Sequence, residues 1–284
     1  MHTQTSTSES RFPGAVQSSR ASAGRQGQGR LWSSSKAVCD LLRIPAPASL
    51  NNEKLLFQHV QFKSGQLVHT VGQGFDTLYV VSSGFLKCVL IDEFGNEQVL
   101  GFPMQGDLLG LDGISGRCHA SDAVALTDCD VVLLPFKRLI ALGCAHPEFE
   151  EAMYAVMSRQ LDHEQVAIGQ LGACAAEVRV ARFLVSLADR FAALGHSNRQ
   201  FSLRMTRLEI GSYLGLSLET VSRTLSALKE AGLITVAQRA IGIIDATGLK
   251  SLRRLPSLHC RNKGSADDSM PDSGLCALER PLLA

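Results

Sequence analysis

The segment Thr206–Leu233, TRLEIGSYLGLSLETVSRTLSALKEAGL, constrains the fold more than any other part of the chain, because it reads as two helices bent around a tight turn. The first helix, about Arg207 to Tyr213, turns Leu208, Ile210 and Leu214 toward a core and ends at Gly215, which accepts positive φ without strain. Ser217 then stands as an N-cap whose hydroxyl can accept an orphan backbone N–H, so a second helix begins near Leu218. Val221, Leu225 and Leu228 recur on one face of that helix, while Glu219, Thr220, Ser222 and Arg223 occupy its first turns. This is helix-turn-helix geometry, in which the second helix enters a DNA major groove.

Side-chain chemistry agrees. A carboxylate accepts from cytosine N4, and an arginine fork reaches guanine O6 and N7. Glu219 and Arg223 stand one turn apart, so both can face the groove. On a solvated helix the same pair would be an ordinary i, i+4 contact worth only ~0.3–0.5 kcal/mol. The tight turn, the cap and the following AGLITV segment, which reads as the first strand of a wing, favour DNA reading.

At these residues the pattern TR-x-EI-x-x-YLGLS-x-ETVSR-x-L-x-x-L-x-x-x-GLI resembles the signature of the CRP/FNR superfamily of bacterial transcription regulators, and the resemblance covers the chain from about Leu41 to Leu252. The tract Glu219–Arg223 is similar to the FNR branch; the cyclic-AMP receptor branch carries glycine where Ser222 stands. The resemblance implies a TTGAT…ATCAA type of site, with Glu219, Ser222 and Arg223 reading bases and Thr206, Arg207, Ser217 and Thr220 holding phosphates. It also implies double-stranded DNA, a second copy of the chain and RNA polymerase as partners, and no enzymatic activity.

Between about Asn52 and Phe136 the pattern changes to short β-type runs punctuated by glycine, among them TLYVVSSGFLKCVLIDEFGNEQVLGF, which argues for a small antiparallel barrel or jelly roll. Glu93–Asn96 reads as a hairpin turn. The expected fold is α+β: an N-terminal cyclic-nucleotide-binding-like β jelly-roll barrel, a long dimerisation helix and a C-terminal winged helix-turn-helix. The boundaries expected are a disordered tail at 1–36, a sensor domain at 37–145, the helix at 146–175, the DNA-binding domain at 176–255 and a flexible tail at 256–284. The first tail is rich in Ser, Gln, Gly and Arg with few large apolar side chains, too few to offset the entropy of ordering it.

No apolar run approaches the length of a membrane helix, so a cytoplasmic protein without membrane contact is expected. The 284 residues carry a formal net charge of only +1. Local charge matters more for binding DNA, and Arg179, Arg182, Arg204, Arg207, Arg223 and Arg239 lie in or beside the proposed DNA-binding half.

The signal is harder to read. Nucleotide-binding members of the superfamily carry an Arg–Ser/Thr pair for the cyclic phosphate, and alignment on the Ala-x-x-Ala pattern of GDLLGLDGISGRCHASDAVAL puts His119–Ala120 there. Arg117 is two residues away. A buried phosphate without its arginine lacks a bidentate charge-assisted partner, so cyclic AMP is not the expected ligand. Oxygen-sensing FNR members hold an iron–sulfur cluster through clustered N-terminal cysteines and one in the barrel. Here Cys39 stands alone before the barrel, Arg43 precedes Ile-Pro where a ligand would fall, and Val132 occupies the barrel position, with Cys129 on the opposite strand face. Four thiolates are the usual requirement, so such a cluster is not expected either.

The eight cysteines lack C-x-x-C spacing, and most read as small buried hydrophobes. Cys118 beside His119 is the best candidate for a reactive thiol or haem ligand, although neighbours on a strand point to opposite faces. From Pro147 to Ala175, Tyr154, Met157, Leu161, Ile168 and Leu171 recur at spacings of three and four, interrupted by Glu164. This is either a core face with one solvated edge residue or a dimer seam carrying a paired acid; the resemblance implies the seam. Two other readings stay open. A cupin-like barrel enzyme fused to a DNA-binding module would need clustered metal ligands, whereas His59, His69, His119, His146 and His163 are dispersed along the chain. A constitutive DNA-binding regulator would need no effector.

Overall fold

The computed structural model describes residues 31–173 and 175–252. Residues 1–30 of the tail expected at 1–36, and the tail expected at 256–284, together with Cys174, Cys260 and Cys276, lie outside these residues, as do the side chains of Leu171 and His163. The chain begins with β1 (Trp32–Ser34) and α1 (Ser35–Leu42), then a 3₁₀ turn at Ala48–Asn52. Seven strands follow around one short helix: β2 (Leu56–Phe62), β3 (Leu67–His69), β4 (Thr77–Ser83), β5 (Leu86–Ile91), β6 (Glu97–Gly101), β7 (Leu108–Leu109), α2 (Gly113–Gly116) and β8 (Asp122–Ala125). After β9 (Cys129–Pro135) come α3 (Phe136–Ala145), the long α4 (Pro147–Ala173) and α5 (Ala176–Ala193). The last part is β10 (Gln200–Ser202), α6 (Arg207–Leu214), α7 (Leu218–Glu230), β11 (Ile234–Ala237), β12 (Ala240–Ile243) and α8 (Ala246–Ser251).

Two antiparallel sheets form the jelly roll, one in the order β1-β2-β9-β4-β7 and the other β3-β8-β5-β6. Between them lie Val68, Val81, Leu86, Leu109, Ala125, Cys129 and Val131. The outer face of the five-stranded sheet is also buried, because Leu78, Val80, Val132 and Leu134 pack under α1, α3 and α4. Strand β4 is therefore covered on both faces, and its TLYVV run reads as continuously apolar instead of alternating. The Asp92–Asn96 turn closes β5 onto β6, with the Asp92 carboxylate accepting the Phe94 and Asn96 N–H groups.

Leu31–Lys36 belong to the fold and not to an unfolded tail: Trp32–Ser34 pair with Leu56–Gln58, and Ser34 caps α1. A three-residue edge strand carries too little apolar pattern to stand out in a Ser-rich stretch.

The C-terminal half is a winged helix, with α5, α6, α7 and α8 around a three-stranded sheet in the order β10-β12-β11. Its core, built on Val180, Leu184, Ile210, Val221, Leu225, Leu228 and Ile234, continues into Val89, Val99 and Phe102 of the barrel. Polar contacts reinforce that junction. Lys87 reaches Glu97 at 2.8 Å and Glu209 at 3.1 Å, and the Ser212 hydroxyl donates to the Glu97 carbonyl and accepts the Val99 N–H.

Helix α4 has two apolar stripes. Phe149, Met153 and Val156 are buried. On the other side Tyr154, Leu161 and Ile168 are 60%, 57% and 68% exposed.

Candidate nucleic-acid interface and barrel interior

Each end of the helix-turn-helix is fixed by a local hydrogen-bond device. Thr206 caps α6, its hydroxyl accepting the Glu209 N–H at 3.2 Å while the Glu209 carboxylate accepts the Thr206 N–H at 2.7 Å. Burial works against the charge on Glu209, but the bonds from Thr206 and Lys87 prevail and hold its carboxyl below the usual range. Gly215 ends α6 at φ 62°, and Ser217 caps α7 by accepting the Thr220 N–H at 3.1 Å.

Two features of this turn are invisible to a pattern search. A Cβ on Gly211 would stand 2.5 Å from the Leu216 carbonyl oxygen, so the close approach of the turn to α6 requires a residue without one. Arg179, on α5, donates to the Leu214 carbonyl at 3.0 Å and satisfies an end of α6 that would otherwise lack a partner. Sequence reading assigns Arg179 only to local basicity.

Thr206, Arg207, Ser217, Glu219 and Arg223 are exposed on one module, with Thr220 and Ser222 half-buried. Arg207 donates to the Ser222 hydroxyl at 3.2 Å, which couples two positions assigned different roles by the sequence. Among the described residues neither Glu219 nor Arg223 makes an ion pair, so the i, i+4 surface-pair alternative is not what the structure contains. The Glu219 carboxyl is held below its ordinary range by its own backbone N–H and by Ser217. One inward assignment fails: Leu208 is 63% exposed. It lies two residues, some 200° around the helix by the 3.6 period, from Ile210 on the buried face.

In the barrel, two histidines fifty residues apart in sequence are brought face to face. The rings of His69 and His119 stack with centroids 3.9 Å apart and an interplanar angle of 17°. Tyr79 and Phe75 flank them. The His69 Nδ1–H donates to the Ser121 carbonyl at 3.1 Å, while its buried Nε2 has no hydrogen-bond partner among the described residues. Burial, aided by the neighbouring His119, pushes the His69 pKa from 6.5 to about 4. The histidines are thus not all dispersed, although among the described residues no three His, Cys, Asp or Glu side chains are placed to hold a metal ion.

Asp112 completes this cluster. Its carboxylate accepts the Ala120 N–H at 3.0 Å and the Ser121 hydroxyl at 2.8 Å. Ala120 is one of the two positions that the sequence aligns with the phosphate-binding pair, and its N–H is already taken by this carboxylate. Arg117 is exposed in a left-handed turn at φ 55°. Cys118 is exposed and His119 only 2% exposed, so the pair singled out in the sequence points to opposite sides of the wall.

Among the described residues the cysteines do not gather into a group that could hold a metal ion. Burial, with Asp40 nearby, pushes the Cys39 thiol up to about 11. Cys129 lies in the inter-sheet core and donates to the carbonyls of Phe85 and Thr127, whereas Val132 packs on the opposite face.

Comparison with known proteins matches residues 59–143 to the cyclic nucleotide-binding domain and residues 178–252 to the Crp-like helix-turn-helix domain. The transcriptional regulatory protein btr of Bordetella pertussis is 37% identical over 215 residues, covering 76% of this chain and 89% of that protein. The fumarate and nitrate reduction regulatory protein of Salmonella typhimurium is 35% identical over 220 residues, covering 75% and 88%. Among solved structures, FixK2 from Bradyrhizobium japonicum superposes with a TM-score of 0.64 at 28% identity, covering 72% of this chain and all of that one. With an antiparallel barrel joined through a long helix to a winged helix-turn-helix, and with relatives this similar along most of their length, the chain belongs to the CRP/FNR superfamily of transcription regulators.

Proposed function

We propose that the protein regulates transcription as a homodimer on a TTGAT…ATCAA-like palindrome, each copy placing α7 in the major groove of one half-site. The observation that carries this reading is the exposure of Glu219 and Arg223, neither of them in an ion pair among the described residues, on a helix whose start is fixed by Ser217. Arg223 would take guanine O6 and N7, Glu219 a cytosine N4 and Ser222 an adjacent base edge. Thr206, Arg207, Ser217 and Thr220 would meet the backbone and set register. The exposed stripe Tyr154, Leu161 and Ile168, with Met157 and Leu171 in the same repeat, would form the seam with the second copy, and two-fold symmetry would match a palindrome. The bound dimer would act on RNA polymerase and perform no catalysis of its own.

The input differs from both well-known ones. The Asp112 carboxylate already accepts the N–H of Ala120, one of the two positions aligned with the phosphate-binding pair, and a second anion placed beside it would be repelled. Cyclic AMP is therefore not the signal in this reading. The thiols of Cys39 and Cys129 are buried and protonated, which does not suit them to hold an iron–sulfur cluster.

A titration against matched and scrambled duplexes tests the base-reading roles. Arg223→Ala should lose about 1–3 kcal/mol of discrimination while retaining most of its non-specific affinity. Arg207→Ala should weaken both duplexes alike, with a small additional loss on the matched one through Ser222. Equal losses of both variants on both duplexes would overturn the assignment.

A further inference from the structure

The junction between the barrel and the DNA-binding domain holds a cleft of about 640 Å³, within the range of small-molecule sites. Its walls come from the end of α1, the loop before β7, the middle of α4, α5 and α8. Five cations line it, Arg43, Arg159, Arg182, Arg190 and Lys250, against two carboxylates, Asp107 and Asp189. Both carboxylates are taken: Arg190 pairs with Asp107, and Lys250 lies 3.4 Å from Asp189.

Arg43 and Arg159 are differently placed. Arg159 donates to the Leu42 carbonyl at 2.8 Å and Arg43 to the Gln105 carbonyl at 3.4 Å, and among the described residues neither makes an ion pair. The C-terminal end of α1, which Arg159 caps, offers at most about half a negative charge. Two full guanidinium charges therefore exceed what their protein partners neutralise. Arg43 is the left-handed C-cap of α1, at φ 54°, its N–H bonded to the carbonyls of Cys39 and Asp40, so the end of that helix fixes where its side chain departs.

We propose that this cleft binds a small phosphorylated anion of nucleotide size carrying at least two negative charges, with the Arg43 and Arg159 forks as its principal partners. Guanidinium forks suit phosphate oxygens because they donate two parallel N–H bonds in a fixed plane. Such a ligand would touch the barrel, α4 and the DNA-binding domain at once. Occupancy would bias how the reader is held against the sensor, through a site separate from the filled barrel interior. The site stands whichever DNA sequence α7 reads.

Calorimetry of the full chain with tripolyphosphate, with potassium chloride at matched ionic strength as the control, tests it. One tripolyphosphate should bind per chain with a rise in thermal midpoint that the chloride control does not reproduce. Arg43→Gln/Arg159→Gln should weaken binding by roughly tenfold or more, the loss of charge-assisted hydrogen bonds. Lys250→Gln, on the exposed short helix, should weaken it by roughly threefold and serves if the double variant fails to fold. Arg207→Ala should leave it unchanged. Binding equal in wild type and all cleft variants, or binding lost only in Arg207→Ala, would overturn the proposal; the second result would mean that polyanions bind at the helix-turn-helix.

Discussion

The barrel and the winged helix treat polar chemistry in opposite ways. In the winged helix the candidate base-reading side chains stand on the surface of one short helix, and local capping hydrogen bonds fix its start. In the barrel the corresponding chemistry has turned inward: two imidazoles stack in the interior, and a carboxylate takes up the local donors. A regulator's output must keep its contacts free for DNA, so its constraints are local and short. Its input can be closed or reshaped without changing the fold, because jelly-roll walls tolerate any interior that fills the space and satisfies its hydrogen bonds.

The largest effects should come from the glycines that let each half close. A Cβ on Gly84 would stand 2.6 Å from the Asp128 carbonyl and the Cys129 sulfur, at a backbone φ of +95°. Gly84→Ala must therefore meet about 1–2 kcal/mol for the left-handed backbone and about 1–3 for overpacking. Gly211→Ala meets only the clash with Leu216 and regains about 1 kcal/mol of helix propensity. Urea unfolding should rank Gly84→Ala as clearly the more damaging to stability. DNA titration should nevertheless show Gly211→Ala losing binding, because the displaced turn carries the cap of α7. A Gly211→Ala protein that binds normally would show that the close turn is dispensable.

The buried histidine pair should make the barrel sensitive to acid. His69 has a folded pKa of about 4, depressed from 6.5, so between those values the unfolded chain binds more protons and stability is lost as pH falls. The full loss, about 3 kcal/mol, is reached near pH 4. His119, Asp112, Asp122 and Tyr79 are the polar neighbours that set this shift or feel it. Denaturant curves at pH 7 and at pH 4 should show wild type losing about that much more than His69→Phe; parallel losses would mean that the ring is hydrated.

What was legible in the sequence follows from the range of the forces involved. Caps, the turn glycine and the spacing of Ile210, Val221 and Leu225 are encoded within a few residues of where they act, and the helix-turn-helix was readable from them. The jelly roll showed through the glycine-punctuated strands. Leu208 was misplaced because a helix of eight residues gives too few turns to fix its buried face. The His69–His119 stack depends on β3 reaching β8 across the sheet, and no local spacing announces it. The braces from Arg179 and Lys87 span 35 and 122 residues, and nothing near either residue marks the partner.

The smallest expected effect concerns the exposed stripe of α4, which belongs to neither half. Glu164 is exposed between Leu161 and Ile168, and its carboxylate accepts from Gln160 at 3.2 Å within the same helix. In a parallel two-fold pair it would face its own copy, and two like charges brought together in a partly dry seam repel. Glu164→Leu removes that repulsion and completes the apolar stripe, which should tighten the dimer by roughly five- to tenfold, or about 1 kcal/mol. Loss of the Gln160 contact subtracts only a few tenths, since i, i+4 pairs on an exposed helix contribute about that much. Sedimentation of wild type and Glu164→Leu across a dilution series reads the difference directly. Equal dissociation constants would place Glu164 on a solvated edge, shift the helix register, and leave Tyr154, Leu161 and Ile168 without the partner proposed for them.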